Sequence, residues 1–200
     1  MRLWTIQPKE VMRELETKGV YHCVEGLSPE LSDQFNTKFR NAYYWLADEM
    51  RKRLGPPPPD VSVPVWAWAV YDGKAEKPDL RTTDFRNCNY PSYCIEAEVP
   101  DRKVLLTDEP AWTTFCLNDW YAGSTKSEKE DDKLRAWYDA LPEEEKTSVR
   151  RKSWEQIIGP DWKNSEDDWC CMGRYVQATF WELTKDQIIS IQIFGRKEKT

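Results

Sequence analysis

Histidine and glycine are scarce in this 200-residue sequence, which contains one histidine and eight glycines. Neither GxGxxG nor GxxxxGK[ST] occurs, and the absence of these phosphate-binding loops argues against a Rossmann dehydrogenase or a P-loop ATPase. Because His22 is the sole imidazole, a Ser-His-Asp or Cys-His mechanism would depend on this one candidate base. A solvated or hydrogen-bonded histidine on a strand is the commoner role for such a residue.

The sequence also lacks a long apolar run and an excess of basic charge. No apolar segment approaches the length that spans a bilayer, and the first eight residues are too polar for a secretory signal. We therefore expect a cytoplasmic protein with no membrane partner. The formal charge of −6 argues against broad coating of nucleic acid.

The cysteines lack the spacing of a zinc module. They are Cys23, Cys88, Cys94, Cys116, Cys170 and Cys171. Without a signal peptide, reduced thiols are expected, including the adjacent pair near the C-terminus. A zinc site would have to recruit His22 with Cys23, Cys88 and Cys94, but tight ligand pairs are missing, so no metal site is predicted.

Hydrophobic periodicity predicts a single α+β domain over residues 1–200, with a mixed or mostly antiparallel sheet flanked by helices. Strands are predicted at 3–7, 61–71, 93–99, 103–107, 175–183 and 188–194. Helices are predicted from Pro8 to Gly19, over 29–54, from Asp108 through Trp120, and over 134–141 and 142–158. Loops are predicted at 74–91 and 123–132, a capping box at 184–187, and a helical insertion within 123–170. In the 93–99 strand, Cys94, Glu96 and Glu98 are predicted to face solvent.

Tryptophan is the most unusual component, because eleven indoles exceed what a core of this size needs. Four of them fit apolar helical stripes and are predicted to lie in the core: Trp112, Trp120, Trp137 and Trp154. Four others lie on predicted strands, where some could line a cleft and stack on a flat ligand: Trp4, Trp66, Trp68 and Trp181.

Seven segments together resemble a bacterial family, the domain-of-unknown-function family 3841, over nearly the whole chain. The segments are Leu3-Trp4-Thr5-Ile6-Gln7-Pro8, Ala42-Tyr43 through Arg53, Pro64-Val65-Trp66-Ala67-Trp68, Pro78-Asp79-Leu80-Arg81, Val104 through Trp112, Leu117 through Tyr121, and Val176 through Glu182. The resemblance implies no activity.

A first strand followed by a helix that ends in Gly, and a late Gln177-Ala178 before the isoleucine-rich segment 188–193, resemble ADP-ribosyltransferases that act on DNA. In those enzymes the bond between nicotinamide and ribose breaks through an oxocarbenium-like state that a carboxylate stabilises. The resemblance implies that Glu182 is the catalytic carboxylate, that Thr5 and Gln7 bind the adenosine side of NAD, and that Tyr43 or Tyr44 stacks. Thr179 stands where that family has its catalytic acid, and the first strand lacks the common His or Arg.

Two functional hypotheses follow. The first is a nucleotide-handling, NAD-binding protein in which Glu182 is catalytic; its ligand-binding residues would be Thr5, Gln7, Tyr43, Tyr44, Trp66, Arg81 and Gln177. Arg81 could hold a phosphate or carboxylate through two hydrogen bonds, although a structural Asp–Arg pair would explain it equally well. The second is a non-enzymatic binding module for nucleic acid or protein that uses exposed tryptophans and the Arg81 loop. The opening segment is also similar to small barrels of the pseudouridine-synthase-associated type, which bind nucleic acids or modified bases.

Overall fold

The computed structural model describes residues 1–23, 37–123, 127–160 and 173–196, in which a six-stranded antiparallel sheet is the main element. In chain order the strands are β1 (Arg2–Pro8), β2 (Val20–Tyr21), β3 (Val65–Val70), β4 (Ser92–Glu98), β5 (Leu105–Asp108), β6 (Val176–Phe180), β7 (Leu183–Thr184) and β8 (Ile188–Phe194). The main sheet has the order β5-β6-β3-β1-β4-β8, and β2 pairs with β7 in a separate two-stranded sheet. The predicted α+β class is confirmed, and the sheet is wholly antiparallel in the described ranges.

Six α-helices surround the sheet in the described ranges. They are α1 (Lys9–Lys18), α2 (Thr37–Leu54), α3 (Thr83–Arg86), α4 (Glu109–Ala111), α5 (Glu128–Asp139) and α6 (Glu143–Ser153). Gly19 ends α1 with a positive φ of 74°, as the sequence predicts. Residues 29–36 of the predicted second helix lie outside the described residues, as do Cys170 and Cys171. None of the helices in the described ranges has the length and apolar character needed to span a bilayer.

One face of the sheet packs on α1. The apolar stripe of this helix, Val11 and Leu15, is buried against side chains from the interior strands, among them Leu3 and Ile95. Because side chains alternate along a strand, every second residue of β1 and β4 points to this face. This is the core that the apolar periodicity of the strands predicts.

Two separate clusters cover the other face of the sheet. Over β5 and β6 lie α2 and the turn after α4, with Leu46, Trp112 and Trp154 buried. Over β1 and β4 lies the polar segment that follows β3, which buries Leu80 and Phe85 against Trp4 and Cys94. The prediction that Cys94 faces solvent is therefore wrong, because the segment predicted as an open loop packs on that face and contains α3.

Local helix geometry accounts for several other differences. The helix predicted from Asp108 is the short α4 followed by a π-helix over Trp112–Cys116, and Trp120 beyond it is exposed. The predicted loop at 123–132 ends earlier, because the Ser127 hydroxyl caps α5 through the Glu130 N–H. Trp137 on α5 is exposed rather than buried, whereas Trp112 and Trp154 are buried as predicted.

Strand limits also differ from the predictions. The strand predicted at 103–107 is a 3-10 turn over Asp101–Lys103 followed by β5, and the strand predicted at 175–183 is divided into β6 and β7. The predicted capping box at 184–187 is confirmed, and it supports a single 3-10 turn over Lys185–Gln187.

Asp108 joins the end of β5 to two other parts of the chain. Its side chain is fully buried and accepts hydrogen bonds from the Ala111 N–H at 2.9 Å and from the Gly173 N–H at 2.7 Å. Burial raises the pKa of Asp108, and the two backbone donors oppose that rise. One carboxylate therefore caps α4 and anchors the chain just before β6.

Replacing Asp108 with Ala should lower the free energy of unfolding by about 2–4 kcal/mol, because it removes a helix cap and leaves two buried backbone donors without acceptors. Urea denaturation measures this loss. Asp48→Ala is the control, since the ion pair of Asp48 with Arg51 is solvent-exposed and its loss should cost about 0.5 kcal/mol or less. Equal losses in the two variants would contradict the anchoring role of Asp108.

Candidate functional site

A cavity of about 250 Å³ lies where the end of β6 meets the segment that follows α2. It is lined by Leu54, Pro56, Pro57, Pro58, Val99, Lys103, Phe180, Trp181 and Glu182. The walls are mostly apolar, and Lys103 and Glu182 supply the charged groups. Ligand pockets are commonly about 300–1,000 Å³, so this cavity suits one part of a larger ligand.

The two-stranded sheet explains why the single histidine lies beside Glu182. β2 and β7 are antiparallel, with Tyr21 opposite Leu183. One further step along this register places His22 opposite Glu182, and the His22 Nε2 lies 3.6 Å from the Glu182 Oε2. The pairing of two short strands thus joins a candidate base to the predicted catalytic carboxylate.

Lys103 contacts the same carboxylate from a third segment. It ends the 3-10 turn before β5, and its Nζ lies 3.3 Å from the Glu182 Oε1. The Glu182 side chain is 30% exposed, so its two oxygens face different nitrogen atoms while part of the group remains accessible. Partly exposed ion pairs contribute little to stability, so these contacts are not needed to explain the fold. A carboxylate close to an imidazole and an ammonium group is a candidate site for acid–base chemistry.

The apolar wall of the cavity is fixed by the end of α2. Gly55 has a φ of 92°, a conformation that favours glycine, and it turns the chain into the consecutive prolines. The Trp181 Nε1 donates a hydrogen bond to the Gly55 carbonyl at 3.2 Å, and the Arg51 guanidinium lies 6.0 Å from the Trp181 ring centre. Because each proline ring restricts φ, the consecutive prolines limit the conformations open to this wall.

Thr5 and Gln7, which the sequence assigns to the ligand, do not line the cavity. The buried Thr5 hydroxyl donates to the Trp66 carbonyl at 2.6 Å and accepts from the Gln7 Nε2 at 2.7 Å. In this structure the two residues join β1 to β3.

Tyr43 and Trp66 do come together, on the face of the sheet covered by α2. Their ring centres are 5.6 Å apart in an edge-to-face arrangement, and both rings also pack on Trp112. The Trp66 Nε1 is buried without a hydrogen-bond partner among the described residues. Tyr44 is adjacent in sequence and exposed.

Gln177 lies on β6, opposite Trp68 on one side and Thr107 on the other. Within the described ranges, its Oε1 and the Thr107 Oγ1 are both buried and lack hydrogen-bond partners. These two oxygen atoms and the Trp66 Nε1 belong to the same face of the sheet.

Arg81 lies apart from these groups, in the segment between β3 and β4. Its guanidinium is exposed and donates two hydrogen bonds to Asp79, at 2.9 and 2.8 Å. Those hydrogen bonds, together with one from the Arg81 backbone N–H, lower the pKa of Asp79 to about 2. The guanidinium therefore engages a neighbouring carboxylate within the chain.

The sequence did not predict that His22 and Lys103 would contact Glu182, since neither has a local spacing relation to it. The contact between His22 and Glu182 follows from the pairing of residues 20–21 with residues 183–184. Segments of two residues are too short for hydrophobic periodicity to predict such a pairing. The described part of the chain contains no group of three or more His, Cys, Asp or Glu side chains arranged to hold a metal ion. Among the cysteines that the structure describes, Cys23, Cys88, Cys94 and Cys116 are not joined in disulfides.

The Asp79–Arg81 pair gives a pH prediction. Because the pKa of Asp79 is lowered in the folded chain, the pair stabilises the fold at pH values above the ordinary Asp pKa. This contribution is lost as the pH falls through about 2. In Arg81→Ala the Asp79 pKa should rise toward its ordinary value of 3.8. Carboxyl NMR titration measures the change, with Lys74→Ala as the control; an unchanged Asp79 pKa in Arg81→Ala would contradict the assignment.

Comparison with known proteins supplies the family. The family model described as "Domain of unknown function (DUF3841)" matches residues 2–189. Searches of curated proteins and of solved structures find no significant match. The match covers nearly the whole chain, including all the residues that line the Glu182 cavity. The chain therefore belongs to the DUF3841 family, as its sequence motifs predict.

Proposed function

We propose that this protein handles nucleotides by binding NAD, with one nucleoside half of the ligand in the Glu182 cavity. The observation that carries the proposal is that Glu182 lines the apolar cavity together with Lys103 and has the His22 imidazole 3.6 Å away. Acidic and basic side chains grouped beside a cavity are a common feature of reactive sites.

Each part of the cavity suits one part of such a ligand. The prolines and Trp181 offer a flat apolar wall for a heteroaromatic ring. The Glu182 carboxylate can accept a hydrogen bond from a ribose hydroxyl, and the Lys103 ammonium can attract a phosphate. A cavity of about 250 Å³ leaves the second nucleoside of NAD outside it, on the surrounding surface.

The reaction supported by the resemblance is an ADP-ribosyl transfer. The bond between the ribose carbon and the nicotinamide nitrogen breaks, and its electron pair leaves with nicotinamide. The positive charge that develops on the ribose is stabilised by the Glu182 carboxylate. An acceptor hydroxyl or nitrogen then bonds to that carbon, and its proton passes to His22.

The other residues predicted to bind the ligand do not line the cavity. Tyr43, Tyr44, Trp66 and Gln177 lie on or beside the aromatic face, whereas Thr5 and Arg81 already bond to groups within the chain. The proposal therefore depends first on Glu182 and only then on these residues.

Calorimetric titration with NAD, followed by an assay for released nicotinamide in the same sample, tests the proposal. We expect wild-type protein to bind NAD and Glu182→Gln to bind it about tenfold more weakly or worse, because a charge-assisted hydrogen bond is lost. Release of nicotinamide should cease in the variant. Glu98→Gln, at an exposed carboxylate on β4, is the matched control and should leave both measurements unchanged.

The outcomes separate binding from catalysis. Binding without release would reject the transferase reaction and retain a nucleotide sensor. Failure of the wild type to bind NAD would reject the proposal as a whole, and equal effects of the two substitutions would reject the role of Glu182. Circular dichroism shows whether each variant keeps the wild-type fold.

A second candidate function is a non-enzymatic binding module, and it is favoured by an exposed aromatic surface on the helical segment. Trp120 and Trp137 are 56% and 48% exposed, and the Tyr121 ring packs between Trp137 and Tyr138. Tyr121 and Lys152 line an open depression of about 540 Å³ beside α6. Aromatic rings next to basic side chains are typical of single-stranded nucleic-acid binding.

Titration with a single-stranded oligonucleotide, followed by tryptophan fluorescence, tests this second function. Trp137→Ala should weaken binding about tenfold, since stacking of a base contributes about 1–3 kcal/mol. Trp137→Phe keeps an aromatic face and should bind nearly as well as wild type. Equal binding by all three proteins, or no binding by the wild type, would reject an oligonucleotide-binding role for this surface.

A further inference from the structure

Glu182 has two basic neighbours, and they differ in how they contact its carboxylate. The Lys103 Nζ donates a hydrogen bond to Oε1 at 3.3 Å. The His22 Nε2 lies 3.6 Å from Oε2, which is longer than a hydrogen bond. In this arrangement the carboxylate is therefore paired with Lys103 rather than with His22.

The two basic groups also differ in their access to solvent. The Lys103 side chain is 48% exposed and lines the cavity. The His22 Nε2 is buried and has no hydrogen-bond partner among the described residues. Because water does not reach this nitrogen atom, the Glu182 carboxylate is the acceptor placed to take a hydrogen bond from it.

A proton on His22 changes the balance between these two contacts. An imidazolium N–H that is buried without an acceptor is unfavourable, whereas one that donates to a carboxylate forms a charge-assisted hydrogen bond. A shift of about 0.5 Å brings the Glu182 Oε2 within hydrogen-bond distance of Nε2. The carboxylate charge is then shared with His22, and its attraction for Lys103 is weaker.

The same proton changes the sum of charges at this side of the cavity. With a neutral imidazole, the charges of Glu182 and Lys103 cancel. With an imidazolium, one net positive charge remains, and it favours an anionic ligand. Histidine ordinarily changes its charge between pH 5 and 8, a range in which carboxylate and ammonium groups ordinarily keep theirs.

Other titratable or charged groups adjoin β2 among the described residues. They are Glu14 and Lys18 at the end of α1, Lys185 and Asp186 in the 3-10 turn after β7, and Tyr21 and Cys23 on either side of His22. Glu14 pairs with Lys18 at 2.7 Å, and Tyr21 hydrogen-bonds with Cys23. A hydrogen bond with the Thr184 side chain is the main cause that lowers the pKa of Asp186. These groups therefore keep their ordinary charges across the histidine range.

We propose that a proton on His22 turns the charge of Glu182 away from Lys103 and thereby strengthens binding of a nucleotide diphosphate at the Lys103 ammonium. This inference rests on the proposed function, because it concerns the cavity in which NAD is placed. His22 is a positioning residue in this role, since it acts on the ligand through Glu182. The proposed transfer uses the neutral imidazole to accept a proton, so the pH that favours binding opposes the reaction.

Calorimetric titration with NAD at about pH 5.5 and about pH 8, on the two sides of the histidine range, tests the coupling. The diphosphate of NAD keeps its charge between these values, so a change in affinity comes from the protein. We expect the wild type to bind about tenfold more tightly at the lower pH, and His22→Gln to bind equally at both. Equal wild-type affinities, or the same pH dependence in a folded His22→Gln variant, would overturn the inference.

A second measurement needs neither NAD nor a substitution of His22. Because His22 is the sole histidine, its imidazole C–H resonances in the NMR spectrum report its protonation directly. Linkage is reciprocal, so an anion that binds at Lys103 favours the protonated imidazole. Sulfate that replaces chloride at constant ionic strength and about pH 7 should therefore move these resonances toward their low-pH positions. Lys103→Gln should abolish the movement, and Arg102→Gln, at a neighbouring exposed cation that does not line the cavity, should retain it.

The two measurements separate this inference from the proposed function. Movement of the resonances by sulfate without any binding of NAD would reject the proposed function and retain a proton-linked anion site. Binding of NAD with an affinity that does not depend on pH would retain the proposed function and reject the inference. Resonances that do not respond to sulfate, or that respond equally in Lys103→Gln, would also overturn the inference.

Discussion

The sheet depends on how β1 is held between its two neighbours. On one side, all seven residues of β1 pair with β4, but on the other side the regular register with β3 has Trp4 opposite Trp68 as its one aligned pair. The bond from the Thr5 hydroxyl to the Trp66 carbonyl adds a second connection across this weaker join. Because β3 carries β6 and β5 beyond it, the position of the Glu182 cavity relative to α1 depends on this join.

This constraint changes the interpretation of Thr5. The resemblance to ADP-ribosyltransferases assigns Thr5 to a ligand. The structure instead places its hydroxyl in the interior of the sheet, where it adds a hydrogen bond between β1 and β3. Gln7 supports it from the same strand, so the polar residues of the opening segment have a structural use that is independent of any substrate. Polar groups buried in a sheet require such partners, and the requirement leaves them less free for binding.

The sequence predicts the elements whose burial follows from their own hydrophobic periodicity. It does not predict burial or contacts that depend on segments distant in the chain. The apolar stripe of Val11 and Leu15 and the course of β8 follow from local pattern. The prediction that Trp120 is buried is wrong because the π-helix before it has more residues per turn than an α-helix. The apolar stripe that an α-helix would continue to Trp120 is therefore displaced. The prediction that Cys94 faces solvent is wrong because a segment with no periodic signal covers it. The contact between His22 and Glu182 was not predicted because it joins residues 160 positions apart in the chain.

The chain between β6 and β8 leads from the Glu182 cavity to the edge of the main sheet. After β6 it must cross the ends of β3, β1 and β4 to reach the edge, a distance of about 19 Å at the usual strand spacing. Along this crossing it carries Glu182 to the cavity and Asp186 to the start of β8, and it is held by the pairing of β7 with β2 and by the capping box that begins at Thr184. A seven-residue segment can span that distance only when it is nearly extended over part of its length, which is why a short strand and a single turn, rather than a helix, follow Glu182.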